Sequence, residues 1–520
     1  MEAPSALARE TGGLVVLIAS MYERQIREQL ASMQLPTGSA IVAVAPILEA
    51  ARPAPWRRWT ARRFATRSTR AREQKILLVG GYGAGNIGDE AQLRCVLEEM
   101  RRRCPDFIIE VLTPTPLRTH QEHGHCQVSS APRVAFYDLG TSQLYALSTT
   151  AARLRFLLRS WWLLLHAWLV RANVPFALVR PRRMALLHEL ATARLVLFVG
   201  GGYLTGSTLS RLWDGMFLMR IASVLGVPVA LSGQTIGVWN SRFTRRLAVK
   251  GLECADLIAT RDAGGSAAAV ADLSLRRPRT LSTCDDALFM NAEVTEEALR
   301  AALDASGIDP DVLRTRYVVL NAHFWGVGAT ERARLLETLQ AMLGCLRASG
   351  VPAVVGVPML QSDRDALLEL ERMDGDGWFR MLRVDENVDV IRGLIARAHV
   401  CVSMKHHPII FALGEAVPAI SLTRGAYYRQ KNEGALALVG MAHCSVDLES
   451  DTCLTDFNRV YESIAGDRDT IAAQITSALP RLAKRRQEFF DDVESLARTG
   501  AIRAAHNAES AYEMADSLTA

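Results

Sequence analysis

The fold prediction rests on residues 75–90, which read KILLVGGYGAGNIGDE. The apolar run Ile76–Val79 predicts a short strand, and the five glycines that follow it predict a tight loop. Apolar residues at helical spacing predict a helix from about Asp89 to Arg103, and Phe107–Leu112 predicts the next strand. A strand–loop–helix–strand unit of this kind is typical of a parallel sheet.

The same order of strand, loop and helix recurs along the chain. Apolar runs that end in small or polar residues, as parallel strands do where ligands bind, occur at Leu195–Val199, Val227–Leu231 and Leu257–Thr260. A second series begins near Tyr317 and includes Val400–Ser403. We therefore predict an α/β fold with two Rossmann-like domains that face a cleft.

The predicted organisation has five parts. They are a small α/β extension at 1–50, a basic linker at 51–74, an N-terminal Rossmann-like domain at 75–300 with a helical insertion at about 141–190, a C-terminal Rossmann-like domain at 301–465, and C-terminal helices at 466–520. The linker is rich in arginine and contains two prolines, so we prefer a solvated tether over a phosphate or lipid contact.

The composition is that of a globular protein. Of 520 residues, 49% are hydrophobic and 22% are charged, and the net charge is +5. This small basic excess does not indicate a nucleic-acid partner, but it is compatible with an anionic substrate or an anionic membrane surface. The nine scattered cysteines include no Cys-x-x-Cys pair, which predicts reduced thiols in the cytoplasm and no zinc site.

The apolar segment Phe156–Val170 is the strongest membrane candidate. It contains Trp161, Trp162 and Trp168, but it falls short of the roughly 20 apolar residues that span a bilayer. No signal peptide is evident at the start of the chain. We predict a helix that is either packed in the core or in peripheral contact with the inner face of the membrane.

Two glycine-rich turns follow predicted strands and are candidate ligand loops. In the first, Gly83 and Gly85 precede Asn86 and Asp89, and a helix N-terminus behind them favours an anion or a network of sugar hydroxyls. Its spacing matches neither a P-loop nor the strict dinucleotide pattern. The second turn is Gly200–Gly202. Both also fit tight structural turns, with Asp89 as a helix N-cap.

The segment Lys405-His406-His407-Pro408 lies between a predicted strand and a predicted helix. It combines a helix N-terminus, a cation and two imidazoles that ordinarily titrate near neutral pH, which suits an anionic substrate that needs a proton. The next strand is followed by the basic residues Arg424, Arg429 and Lys431. They either add phosphate contacts or belong to a solvated loop. A polar loop containing His120, His123 and His125 offers no clear fourth ligand, so we predict no metal.

Across about residues 75–440, these motifs resemble the polysaccharide pyruvyltransferase family. The matching segments are Gly81–Ala91, Gly200–Gly202, Gly233–Gly237, Arg261-Asp262, Asp285–Ala287, Ser403–Ala412, Val417-Pro418 and Lys431. The resemblance implies a two-domain fold of the GT-B type. It also implies transfer of the enolpyruvyl unit of phosphoenolpyruvate to a sugar as a pyruvate ketal, in the biosynthesis of cell-surface polysaccharide.

The resemblance also implies roles for individual residues. His407 falls at the motif histidine and would be the general acid. The donor and its phosphate would contact Lys405 (where the family usually has arginine), His406, Lys431 and Arg261. The acceptor would lie against Gly83, Gly85, Asn86, Asp89, Gly201 and Gly202. Phosphoenolpyruvate is the co-substrate, no other cofactor is implied, and the acceptor is a lipid-linked or nucleotide-linked saccharide.

Two other functions stay open on the same scaffold. One is glycosyl transfer from a nucleotide sugar, for which Glu433 is a candidate acidic residue for the ribose. The other is a non-catalytic relative that binds sugar.

Overall fold

The computed structural model describes residues 15–18, 40–43, 73–113, 115–124, 129–130, 150–172, 181–207, 209–262, 264–324, 327–383 and 387–503. The chain divides into two units, Met1–Thr66 and Arg67–Ala520. In the first unit, strands β1 (Val15–Ile18) and β2 (Ala40–Ala43) pair in parallel. The rest of the predicted α/β extension and residues 51–72 of the basic linker lie outside the described residues.

The second unit begins with a parallel sheet in the order β5-β4-β3-β6-β8-β9-β10, with β7 paired to β8. Its strands are β3 (Lys75–Val79), β4 (Ile108–Leu112), β5 (Ser129–Ser130), β6 (Leu195–Phe198), β7 (Gly201–Thr205), β8 (Val229–Gly237), β9 (Leu257–Thr260) and β10 (Arg279–Ser282). Strands β3 and β6 are entirely buried, which explains why Ile76–Val79 and Leu195–Phe198 are continuous apolar runs.

Seven helices accompany this sheet in the described part of the chain. They are α1 (Ile87–Arg103), α2 (Pro116–His123), α3 (Thr150–Arg171), α4 (Pro181–Thr192), α5 (Leu209–Leu225), α6 (Arg242–Leu252) and α7 (Gly265–Asp272). The predicted face of α1, from Leu93 to Met100, packs on the first sheet. None of the described helices has the length and hydropathy needed to cross a membrane.

A second parallel sheet follows in the order β13-β12-β11-β14-β15-β16. Its strands are β11 (Val318–Asn321), β12 (Val354–Gly356), β13 (Phe379–Met381), β14 (Val400–Ser403), β15 (Ala419–Thr423) and β16 (Ser445–Asp447). The helices are α8 (Glu296–Ala305), α9 (Ala329–Ala348), α10 (Gln361–Asp374), α11 (Val388–Arg397), α12 (His406–Gly414) and α13 (Gly425–Ala437). The two sheets confirm the predicted fold class of two Rossmann-like domains.

The last helix, α14 (Cys453–Thr499), contacts the cores of both sheets. Its backbone departs from helical geometry at Asp467, near the predicted start of the C-terminal helices at residue 466. Before this break, Phe457 packs in the core of the second sheet. Towards the other end, Phe489 and Phe490 pack in the core of the first sheet. Helix α14 therefore ties the two halves together.

Each sheet reverses its strand order at one point, between β3 and β6 in the first and between β11 and β14 in the second. In doubly wound folds, ligands bind beyond the carboxyl ends of the strands at such a point. The segments that follow these strands contain the glycine turns and Lys405–His407. The fold thus positions these segments at the two switch points, whereas Arg261 follows β9 and Lys431 lies on α13.

Candidate functional site

The two halves touch beside the switch points. The backbone N–H of Ile87, which follows β3, donates a hydrogen bond to the carbonyl of Met359 at 3.2 Å. On the other side, the hydroxyl of Tyr427 in α13 donates to the carbonyl of Gly202 at 3.2 Å. Residues from both sheets can therefore act on one ligand between these contacts.

The first glycine loop is held by its backbone geometry and by its own side chains. Gly83 and Gly85 have φ values of 80° and 78°, where glycine is strongly favoured. Asn86 is the N-cap of α1: its Oδ1 accepts from the N–H of Gly88 at 3.3 Å, and its Nδ2 donates to Asp89 Oδ2 at 2.8 Å. The interpretation of Asp89 as the N-cap is therefore wrong, because α1 begins immediately after Asn86.

His407 packs directly against the first turn of α1. A Cβ atom added to Gly88 would lie 1.8 Å from His407 Nδ1, so only glycine leaves room for the imidazole there. The other ring nitrogen, Nε2, lies 3.8 Å from Asp285 Oδ2 and is buried without a hydrogen-bond partner. The glycine loop thus sets the position of this histidine, a function of Gly88 that its sequence spacing does not reveal.

Asp285 is the buried anion at the centre of the site. Its Oδ2 accepts hydrogen bonds from Gln92 Nε2 at 2.6 Å and from Arg261 Nη1 at 2.8 Å, and lies 3.4 Å from His406 Nε2. Burial would raise the pKa of this carboxyl, but the contact with His406 and the charge of Arg261 hold it well below its usual range. Asp285 is therefore ionised, and it links the first half to both histidines.

Both histidines are neutral in the unliganded site. Burial lowers the pKa of His407 to about 3, against the opposing charge of Asp285. Three nearby cations add to this lowering: Lys431, Arg261 and Lys405. The expectation that the imidazoles titrate near neutral pH is wrong for the free protein, because the sequence shows neither the burial nor the surrounding positive charge.

His406 differs from His407 in its surroundings. Its ring is buried, with Nδ1 lying 3.2 Å from Asn432 Oδ1 and Nε2 facing Asp285. Asn432 is itself fixed by donating to Ser421 Oγ at 3.0 Å. Since both ring nitrogens face protein groups, this geometry suits a residue that positions its neighbours better than one that contacts the donor.

Arg261 and Lys431 supply positive charge with unused hydrogen-bonding capacity. Arg261 donates to Thr235 Oγ1 and to Asp285, which leaves its buried Nη2 without a partner. Lys431 lies on α13 with Nζ 5.6 Å from the centre of the Tyr427 ring, and it makes no hydrogen bond to any described residue. Burial and the charge of Arg261 lower the pKa of Lys431 to about 7. Such crowding of cations is typical of an anion site.

Lys431 also lies near Asp89. Burial raises the pKa of the Asp89 carboxyl, whereas the positive charges of Lys431 and Arg211 act in the opposite direction. The site therefore joins the acidic residue of the first loop to the basic residues of the second half.

The basic stretch after β15 is helical from Gly425, so its interpretation as a solvated loop is wrong.

Lys405 is held by a network that sequence reasoning missed. Its Nζ lies 3.0 Å from Asp363 Oδ2, and the other oxygen of Asp363 lies 2.7 Å from His323 Nδ1. His323 follows β11, so its place at a strand end beside the switch point was a usable signal. Asp363 sits in the first turn of α10, where acidic residues are common, and gave no such signal.

The second glycine turn faces protein side chains. A Cβ on Gly202 would lie 2.0 Å from the hydroxyl oxygen of Tyr427, and a Cβ on Gly201 would lie 2.7 Å from Cδ1 of Tyr203. This geometry matches the alternative in which these glycines allow close packing. Their assignment to the acceptor remains a prediction.

The predicted polar histidine loop is in part helix α2, and His123 is buried. His123 Nε2 lies 3.1 Å from Glu90 Oε2, and the ligand atoms of Glu90, Glu122 and His123 lie within 4.8 Å of one another. Glu90 also accepts a hydrogen bond from the N–H of Gly83 at 2.6 Å. These contacts brace the glycine loop from behind. His125 lies outside the described residues.

Two facing Rossmann-like domains define a fold of the GT-B-like class. The model of the polysaccharide pyruvyl transferase family matches residues 86–425, and the chain belongs to this family. No curated protein sequence is significantly similar to the chain.

Solved structures with the same fold include Staphylococcus aureus MnaA in a co-structure with UDP, at 10% identity and a TM-score of 0.52. This match covers 83% of the present chain and 100% of MnaA. Another is a protein from Listeria monocytogenes described as a putative UDP-N-acetylglucosamine 2-epimerase, at 11% identity and a TM-score of 0.51. This match covers 84% of the present chain and 100% of the Listeria protein. At these identities the likeness shows the fold alone.

Proposed function

We propose that the protein transfers the pyruvyl unit of phosphoenolpyruvate to a saccharide as a ketal, in the biosynthesis of a cell-surface polysaccharide. The observation that carries this proposal is the grouping of a buried neutral imidazole, His407, with three cations, Lys405, Arg261 and Lys431. Phosphoenolpyruvate has a carboxylate and a phosphate that need cations, and a vinyl carbon that must gain a proton.

The proposed reaction needs a proton for the vinyl carbon and two C–O bonds at C2. A proton adds to C3 of phosphoenolpyruvate, and C2 takes on oxocarbenium-like character. One sugar hydroxyl forms a C–O bond at C2, and a second hydroxyl forms another as the C2–O bond to phosphate breaks. Of the two hydroxyl protons, one balances the proton added to C3 and the other leaves with the phosphate.

Donor binding is what makes His407 an acid. In the free site, burial and the nearby cations keep this imidazole neutral. A bound trianion offsets the charges of Arg261, Lys431 and Lys405, so it raises the pKa of His407 and favours uptake of a proton. The proton is thus taken up only when a donor is present to receive it.

The remaining groups divide between donor and acceptor. Arg261 Nη2 and Lys431 Nζ are the unsatisfied hydrogen-bond donors for the phosphate and carboxylate, with Lys405 as a third cation held by Asp363. Asp89, hydrogen-bonded to Asn86, faces the acceptor hydroxyls from the first half. Because the cysteines of the described residues are free, we place the reaction in the cytoplasm, where phosphoenolpyruvate is made.

The direct test is phosphate release from phosphoenolpyruvate, with lipid-linked and nucleotide-linked sugars as acceptors. We expect release to require both substrates and to fall at least about 100-fold in His407→Ala, since general acid catalysis contributes roughly 10²–10⁴-fold. His443→Ala removes an exposed histidine and is the matched control.

Unchanged phosphate release in His407→Ala would refute its role as the acid. Tight binding of a nucleotide sugar without binding of phosphoenolpyruvate would instead support glycosyl transfer, with Glu433 on α13 as the residue to test next. Binding of saccharide alone, without turnover of either donor, would identify a non-catalytic relative.

A further inference from the structure

Helix α3 has an apolar face that no described residue covers. Six large side chains on it are between 41% and 61% exposed: Leu154, Leu158, Trp161, Trp162, Leu165 and Trp168. They are separated by steps of three or four, apart from the adjacent pair of tryptophans, so they form one stripe along the helix. An exposed apolar stripe of this size, with three tryptophans, is typical of an interaction surface.

The opposite face of α3 already forms the packing that holds the helix in the fold. Leu163, Leu164, Ala167 and Val170 are buried, and α3 packs against α5. His166 is also buried, with Nδ1 lying 2.8 Å from the carbonyl oxygen of Trp162. The exposed stripe is therefore separate from the face of α3 that packs in the core.

The charge around the stripe identifies the kind of surface it fits. Helix α3 contains four arginines and no acidic residue. Arg171 lies exposed at its end, 5.9 Å from the centre of the Trp168 ring. Tryptophan and leucine flanked by arginine is the composition of helices that lie in a membrane interface.

We propose that the exposed face of α3 docks on the surface of a bilayer that contains anionic lipids. The stripe from Leu154 to Trp168 is about 21 Å long at 1.5 Å per residue. This is shorter than the roughly 30 Å hydrocarbon layer, so the helix lies along the interface with its tryptophans inserted and Arg171 at the headgroups. The buried face keeps its contacts with α5.

Membrane docking also bears on the acceptor of the proposed reaction. This inference about the acceptor rests on the proposed function, whereas membrane docking itself does not. A chain held at the membrane surface meets acceptors that are themselves anchored there, which favours a lipid-linked saccharide over a nucleotide-linked one. Membrane binding itself requires neither phosphoenolpyruvate nor an acceptor, so the two proposals fail independently.

The test is co-sedimentation of the full chain with phosphatidylcholine vesicles, with and without phosphatidylglycerol. We expect binding to the anionic vesicles, weakened by salt. The double variant Trp161→Ser/Trp168→Ser should lower the partition coefficient at least about tenfold, since each replacement removes a half-exposed apolar side chain. Trp162 is left intact because its ring lies 4.8 Å from that of His166.

The double variant Met373→Ser/Leu454→Ser is the matched control, because it removes two exposed apolar side chains away from α3. Absence of sedimentation, equal binding to both vesicle types, or equal loss in the control would each overturn the proposal. Light scattering decides the remaining case: a dimer that the tryptophan variant dissociates would assign the stripe to a second copy of the chain and overturn membrane docking.

Discussion

The substitution Gly88→Ala tests the link between the glycine loop and His407. The added Cβ would lie 1.8 Å from His407 Nδ1, and ordinary contacts begin near 3.4 Å, so the two groups must separate by at least the difference, 1.6 Å. A misplacement of about 1 Å in a reacting group costs on the order of 100-fold in rate. We therefore expect kcat/KM for phosphate release to fall at least about 100-fold.

The same substitution should leave the protein folded. Gly88 is helical, and alanine there gains up to about 1 kcal/mol of helix stability, which offsets part of the cost of moving the imidazole. The assays are phosphate release and the thermal unfolding midpoint, measured on the same preparation. The control is Gly344→Ala in α9, where a Cβ meets nothing within 4 Å.

A second measurement separates this explanation from a general defect. If Gly88→Ala acts only through His407, the double variant with His407→Ala should be no slower than His407→Ala alone. Wild-type kcat/KM in Gly88→Ala, at unchanged stability, would refute the reasoning. So would a double variant that loses activity in proportion to the product of the two single losses.

Three further predictions follow from the same site. Asp285→Asn leaves the buried Arg261 without its anion, so the free energy of unfolding should fall by about 3–5 kcal/mol in urea titrations, whereas an unchanged midpoint would contradict the central role of this carboxylate. Because the pKa of His407 is lowered to about 3 from an unfolded value near 6.5, the unfolded chain binds the extra proton between these pH values, and stability should rise with pH across that window. Urea titrations at several pH values should show a smaller slope in His407→Gln, and an equal slope would exclude the histidine as its source. Gly202→Ala should destabilise the protein because its Cβ meets the Tyr427 hydroxyl oxygen at 2.0 Å, and adding Tyr427→Phe should restore much of the loss in thermal unfolding, as it would not if the strain lay elsewhere.

The strands were predictable because their physical cause is local. Strands buried on both faces are apolar over nearly all their length, as Ile76–Val79 and Val400–Val402 are, and the glycines and polar residues that follow mark where each apolar run ends. The first glycine loop and Lys405–His407 were each predictable as candidate ligand segments, since each follows a strand of a parallel sheet.

What escaped prediction depends on contacts between distant segments. The sequence could not show that Asp285 would join Arg261 to two histidines, or that burial would lower the pKa of His407. The role of Gly88 depends on a side chain more than 300 positions away, and one sequence gives no sign of that pairing. The choice between Asn86 and Asp89 as N-cap turned on where the first helical turn closes, which local spacing leaves ambiguous.

Helix α14 has a consequence for the order in which the protein can fold during synthesis. Strand β3 is made early, yet Phe489, Phe490 and Val493, which complete the core around it, are among the last described residues to leave the ribosome. The first half therefore waits with an uncovered apolar surface while the second half is translated and folds. Loss of a short stretch at the end of α14 would damage the half of the protein that was synthesised first.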